Sequence, residues 1–235
     1  MTKMIIIITV FSASIFSALL ADDNSIWAGP TRDNIYTETN LADSWPEDGP
    51  ELLWQFDSLG IGYSAVAVNS SGVYVTGMKS DRTGHLYAFN HDGSIKWTIP
   101  YGSEWHRGFP GTRSTPVIYE GLMYFESAQG VVFCIKPENG EIVWSKDLMN
   151  DYGGVNIQYG LSESILVDDD RVICTPGGSE HNLMALNRLT GEVIWTNSAK
   201  GEPPTYLTPS LIERNGSKFL VTMTSSSIMG IEFET

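Results

Sequence analysis

The chain has 235 residues, enough for one large domain or two small ones, and its 42% hydrophobic and 18% charged content is globular rather than disordered. Fourteen Lys and Arg face 28 acidic residues, a net charge of −14 that repels phosphate backbones and counts against nucleic acid as a partner. The two cysteines, Cys134 and Cys174, stand in apolar runs ("VVFCI", "RVICT") and read as buried free thiols. Export would permit a disulfide between them, but no zinc-ligand spacing is present.

In chain order, residues 1–21 read as a signal peptide. Lys3 supplies the positive start, Met4 to Leu20 is apolar or small, and "SALLADD" offers cleavage after Ala21. A membrane anchor is the competing reading, since the apolar run approaches the ~18 residues needed to span. No cysteine follows "SALLA", so the expectation is an exported, soluble, periplasmic or secreted protein that is not a lipoprotein and has no membrane span after cleavage. Residues 22–50 form an extended lead-in. Residues 51–56 ("ELLWQF") read as a lone strand, and four repeat units follow at 63–98, 113–147, 161–196 and 206–235.

The repeat shows in its closing tryptophans, Trp54, Trp97, Trp144 and Trp195, at intervals of 43, 47 and 51 residues. Within a unit, short β-branched and aromatic runs alternate with Gly, Asn and Pro turns, as in "STPVIY", "LMYFESA", "VVFCIK" and "EIVWSKDL". No stretch after residue 21 carries sustained helical periodicity. The fold expected is all-β: a β-propeller of four-stranded antiparallel blades.

The segments "AFNHDGSIKW", "CIKPENGEIVW" and "ALNRLTGEVIW" each set a small residue (Ala88, Cys134, Ala185) before a glycine turn (Gly93, Gly140, Gly191) and a tryptophan (Trp97, Trp144, Trp195). The expectation is that the small residue admits a neighbouring unit. The indole then fills the space between sheets and docks on the preceding turn.

The pattern small-x-Asp/Asn-x-x-Thr-Gly-x-x-x-Trp, met in full by Ala185, Asn187, Thr190, Gly191 and Trp195, resembles the tryptophan-docking motif of pyrroloquinoline-quinone-like (PQQ-like) β-propellers. The second copy departs at Lys136 and Asn139, and the first is one residue short. The lead-in "IWAGPTRDNIYTETNL…WPEDGPELLWQF" is similar to that of exported BamB-like members. Such propellers usually have eight blades, so the resemblance implies about half of one, an N-terminal fragment whose missing half would pair with "ELLWQF". The competing reading is a small ring of four closed by that same strand.

Three connecting loops, "IPYGSEWHRGFPGTR", "LMNDYGGVNIQYGL" and "SAKGEPPTY", are long and rich in Gly, Pro and aromatics, where a scaffold carries function. Aligned unit starts put Tyr63, Arg113, Leu161 and Tyr206 at one level, and Ala65, Thr115, Glu163 and Thr208 two residues on. Arg113 and Glu163 are charged where the other copies are neutral, so they read as an ion pair joining adjacent units. The sharper alternative is a ligand-binding face on which Arg113 holds an anionic group, Trp105 or Tyr159 stacks on a ring and His106 acts as a base. The run Asp168–Asp170 reads as a solvated turn rather than a calcium loop.

No catalytic, cofactor-binding or metal residue is singled out, and no cofactor is evident. The expected function is a non-catalytic binding or scaffold module, BamB-like, taking a protein, peptide or glycan. The alternative is the propeller of a PQQ-dependent alcohol or sugar dehydrogenase, with its cofactor residues in the missing C-terminal half. The resemblance implies that such an enzyme carries a vicinal Cys-Cys pair, a stacking tryptophan, a Ca²⁺ held by Glu and Asn, and a catalytic Asp. The first of these is absent, because Cys134 and Cys174 are not adjacent.

Overall fold

A computed structural model describes residues 26–29, 31–36, 39 and 41–233. The signal peptide expected at 1–21 lies outside the described residues, as does part of the 22–50 lead-in. The first sheet comprises β1 (Ala67–Asn69), β2 (Gly72–Met78), β3 (Thr83–Phe89) and β4 (Ile95–Ser103). The second holds β5 (Val117–Tyr119), β6 (Leu122–Glu126), β7 (Val131–Ile135) and β8 (Ile142–Asp147). The third holds β9 (Leu166–Asp168), β10 (Arg171–Cys174), β11 (Leu183–Asn187) and β12 (Val193–Asn197). The fourth has three strands, β13 (Ser210–Arg214), β14 (Ser217–Met223) and β15 (Ile228–Glu232).

Every sheet is an antiparallel meander in sequence order. The first hairpin turns place Glu120, Asp169 and Asn215 at positive φ, the hand that suits right-twisted strands. A short helix that hydrophobic periodicity could not reveal, α1 (Leu148–Tyr152), follows the second sheet. Asp147 caps it by accepting from the Met149 and Asn150 N–H groups, and Gly153 ends it in the left-handed region.

The all-β expectation holds in class, but the β-propeller expectation is corrected. The chain forms four separate sheets of three or four strands, none of which closes into a barrel or curls in the manner of a blade arrangement. Among the described residues no strand pairs with the 51–56 segment, so the ring of four closed by that strand is not formed. The physical reason is that the repeat encodes a hairpin and its contact with one neighbour. Those local terms leave the global arrangement of the sheets open.

Successive sheets meet face to face through side chains of alternating strand positions. Tyr74, Leu86 and Ala88 of the first sheet pack with Met123, Phe125, Phe133 and Ile135 of the second. From the second sheet's other face, Tyr124, Val132 and Cys134 meet Val172, Cys174, Met184 and Leu186 of the third. Leu166, Ile173, Leu183 and Ala185 then pack with Leu220 and Phe233 at the fourth. Inner strands are therefore covered on both faces, which explains their unbroken apolar runs. Cys134 and Cys174 are both buried and free, within one of these layers.

The small residue and the tryptophan turn out to be cross-strand partners: Ala88 faces Trp97, Cys134 faces Trp144 and Ala185 faces Trp195. A register shift follows the small residue in all three sheets. The indole sits on the glycine turn of the following sheet, not on the turn of its own hairpin. Trp97 Nε1 donates to Pro137 O at 3.0 Å and Trp144 Nε1 to Arg188 O at 2.9 Å. Trp54 does the same to His91 O at 3.0 Å, although it belongs to no strand. Trp195 Nε1 is buried and has no partner among the described residues.

Gly191 shows why the turn must be glycine. Its φ is +70°, and a Cβ there would lie 2.8 Å from Trp144 Cδ2. Trp144→Ala is expected to lower unfolding stability by ~3–5 kcal/mol, and Gly191→Ala by ~1–3 kcal/mol through backbone strain and the clash. In urea titrations the double variant should lose less than the sum of the two, because removing the indole also removes the clash.

Candidate functional site

The loop between the first two sheets is organised by a buried carboxylate. Glu104 accepts from Tyr101 Oη at 2.7 Å, Trp105 N at 3.1 Å and Ala128 N at 3.0 Å. Burial raises its pKa, and these donors oppose the shift. Trp105, expected to stack on a ligand, is itself buried. Its Nε1 donates to Gly108 O at 3.3 Å, and its ring lies against Gly160. Its role is to join two loops. His106 is exposed beside it and borders a separate recess of 460 Å³ with Gln129 and Asn156.

Arg113 and Tyr159 do come together, in a 380 Å³ recess completed by Tyr63, Phe109, Ser162 and Tyr206. The Arg113 guanidinium lies 5.1 Å from the Tyr63 ring centroid and donates to the Phe109 carbonyl. Phe109 and Tyr159 meet edge-on at 5.5 Å, and Tyr159 and Tyr206 lie 6.2 Å apart. The Tyr159 N–H donates to Tyr206 Oη at 3.2 Å, which ties the second and third loops together. Phe109 is 64% exposed, Tyr63 56% and Tyr206 50%, so aromatic faces surround the guanidinium and remain open to a ligand.

The ion pair expected between Arg113 and Glu163 is not formed. Arg113 Nε is buried without a hydrogen-bond partner, and no carboxylate among the described residues is ion-paired with it. Glu163 points instead into the buried interior beside Thr175 and the Arg32 charge. Arg32 arrives from the lead-in and donates to Ser164 O at 3.1 Å and Ile165 O at 2.6 Å. Asp169 and Asp170 form the turn after β9, and Lys218 of the fourth sheet contacts Asp168 at 2.6 Å and Asp169 at 3.3 Å.

Tyr63, Phe109, Ser162 and Tyr206 escaped the sequence reading as site residues. Their signal was the alignment of Tyr63, Arg113 and Tyr206 at one level of the repeat, where the aromatic positions mattered more than the unmatched charges.

With this geometry in place, the chain can be set beside known proteins. The family model described as outer membrane protein assembly factor BamB matches residues 46–145 and 82–235. The chain belongs to this family. An outer membrane protein assembly factor BamB from Kangiella koreensis is 30% identical over 138 residues, 57% of this chain and 31% of that protein. The crystal structure of BamB from Moraxella catarrhalis aligns with a TM-score of 0.53 at 16% identity, over 77% of this chain and 50% of that one. A quinohemoprotein alcohol dehydrogenase from Comamonas testosteroni aligns at 0.52 and 14% identity, over 77% and 36%. At such identities the structural likenesses concern the fold alone. The chain thus spans a third to a half of the length of these two BamB proteins.

The residues present do not fit the quinone and calcium centre that the dehydrogenase likeness would imply. Both thiols are enclosed in the apolar layer between the second and third sheets. Among the described residues no three His, Cys, Asp or Glu side chains converge as metal ligands. The buried carboxylates Glu126 and Glu163 instead act on each other. Burial drives the Glu126 pKa well upward and nearby Glu163 adds to it, while burial lifts Glu163 to about 8 against the opposing pull of Thr175 and Arg32.

That arrangement makes stability pH-dependent. A carboxyl with a raised folded-state pKa holds its proton after the unfolded chain has released its own. Its contribution is therefore full below the unfolded value near ~4.3 and is lost as pH rises through about 8. Glu163→Gln, which keeps the neutral shape, is expected to lessen the fall in thermal stability between pH 5 and 8, Glu126 retaining its own share, and to raise Tm at pH 8 by ~2–4 °C. Calorimetry across that range checks it.

Proposed function

We propose that this chain is an exported, periplasmic BamB-type binding module that contributes to outer membrane protein assembly without catalysis. Residues 1–21 serve as its export signal, 22–50 as the lead-in and 51–235 as the binding body. Family membership supports the assembly role, and the open aromatic recess around Arg113 is the single observation that carries the binding role. An unpaired guanidinium ringed by aromatic faces suits a polypeptide segment that offers an aromatic side chain beside a carboxylate. Phe109, Tyr159 and Tyr206 supply stacking faces from the three connecting loops, and Arg113 supplies the charge. His106 lies in the separate recess and takes no part.

The test is fluorescence anisotropy with a labelled outer-membrane β-barrel polypeptide diluted from urea. Arg113→Ala and Tyr206→Ala are each expected to weaken binding roughly tenfold, ~1.4 kcal/mol, while His106→Ala leaves it unchanged. Binding that ignores both substitutions would place the contact elsewhere.

A further inference from the structure

The loops that join the first three sheets enclose the second recess, of 460 Å³, apart from the one around Arg113. His106 and Arg107 reach it from the first connection, Asn156 and Gln158 from the second, and Gln129 from the turn between β6 and β7. The recess therefore depends on neither end of the chain.

Its polar walls are held in a particular way: His106, Gln129 and Gln158 are each tied at one end and unpaired at the other. Glu104 O lies 3.4 Å from His106 Nδ1 and accepts from Gln129 Nε2 at 3.1 Å. A carbonyl can only accept, so the His106 proton sits on Nδ1 and Nε2 of the neutral ring keeps its lone pair. Gln129 Oε1 has no partner among the described residues. Gln158 Nε2 donates to Tyr159 Oη at 3.1 Å, and its Oε1 is likewise unpaired. Asn156 is fixed at both ends, donating through Nδ2 to Ala128 O at 2.9 Å and accepting from Ile157 N at 2.8 Å. Because the Ala128 N–H donates to the Glu104 carboxylate, one buried residue sets both sides of the recess. Arg107 is exposed and makes no hydrogen bond or ion pair among the described residues.

Three acceptors and one forked donor thus border a single recess. An anion would meet three lone pairs, and the net charge of −14 adds to that repulsion. A cation would meet the Arg107 guanidinium. A hydroxyl both donates and accepts at one atom, and a pyranose carries hydroxyls on adjacent carbons, so one small ring can satisfy all four groups. Ile157 and the edge of Trp105 offer an apolar wall to its C–H face. Walls pinned in advance also reduce the ordering cost of binding.

We propose that this recess binds a neutral saccharide, with Arg107 donating to a hydroxyl oxygen and Gln129, Gln158 and His106 accepting from hydroxyl protons. The site does not rest on the polypeptide reading of the Arg113 recess.

Titration of the nitrogen-labelled chain with maltose, cellobiose and N,N′-diacetylchitobiose, followed by two-dimensional NMR, tests it. Millimolar binding of at least one sugar is expected, with the side-chain amide signals of Gln129 and Gln158 moving first. Arg107→Ala should weaken that binding about tenfold and Gln158→Ala about threefold, each with the melting curve unchanged. Sodium sulfate is expected to leave the two amide signals in place. Failure of all three sugars to bind, shifts that begin at Phe109 or Tyr206, binding that ignores both substitutions, or displacement of the sugar by sulfate each overturns the proposal. Saccharide binding that persists while polypeptide binding is absent would count against the Arg113 reading alone.

Discussion

The contact between an indole and the glycine turn of the following sheet is the constraint on which the rest depends. Each sheet is too thin to cover its own faces, and the three- to nine-residue strands make no hydrogen bonds from one sheet's ladder to the next. Cohesion between layers therefore falls mainly to side chains, with a few backbone bonds outside the strands, such as Tyr63 N–H to Thr112 O. The cross-strand small residue leaves the indole room on the shared face, and the register shift beside it tilts the ring toward the neighbouring turn. A buried indole removes ~150–250 Å² from water, on the order of 4–6 kcal/mol as an upper bound. Its N–H also needs a partner once covered, and the turn carbonyl supplies one. Hydrophobic burial thus fixes the distance between sheets, and the hydrogen bond fixes the lateral register.

This division of labour frees the opposite ends of the strands. Polar latches at the hairpin-turn end, Arg188 with Glu120 and Lys218 with Asp168, tie adjacent sheets at partly exposed positions where ion pairs contribute little. At the other end the long connections are held by internal anchors: Glu104 with three donors, Trp105 against Gly160, and Tyr159 N–H on Tyr206. Loops so pinned can present aromatic rings to solvent without collapsing onto them. Phe109 holds a positive φ within such a loop, a backbone state that the surrounding contacts must sustain.

Strand positions were legible in the sequence because apolar runs and turn residues act locally. "VVFCI" and "LMALN" lie on β7 and β11, and the Asp168–Asp170 run contains the turn after β9. The family was legible for the same reason, since the tryptophan and glycine positions encode one repeated contact. The arrangement of sheets was not, because nothing in a hairpin specifies how the last sheet is terminated. Side-chain direction was equally hidden. Arg113 and Glu163 stand fifty residues apart on adjacent connections, and two positions of register separate an outward guanidinium from an inward carboxylate. Arg32, far away in sequence, takes a place near Glu163 that no local pattern could disclose.

The electrostatics of the molecule sharpen what the recess can discriminate. A chain of net charge −14 repels anionic ligands at long range, so the field does not steer a carboxylate toward Arg113. In the proposed role, recognition falls to contact, where the guanidinium lies over the Tyr63 ring and no carboxylate among the described residues is ion-paired with it. Aromatic faces exclude water from such a charge and strengthen any hydrogen bond that a carboxylate makes to it. A purely acidic segment would suffer the repulsion without filling the recess, and a purely apolar one would leave the guanidinium unsatisfied. For the proposed ligand, the pairing of one negative group with one ring is the chemistry that would satisfy both, so selectivity would lie in the combination rather than in charge.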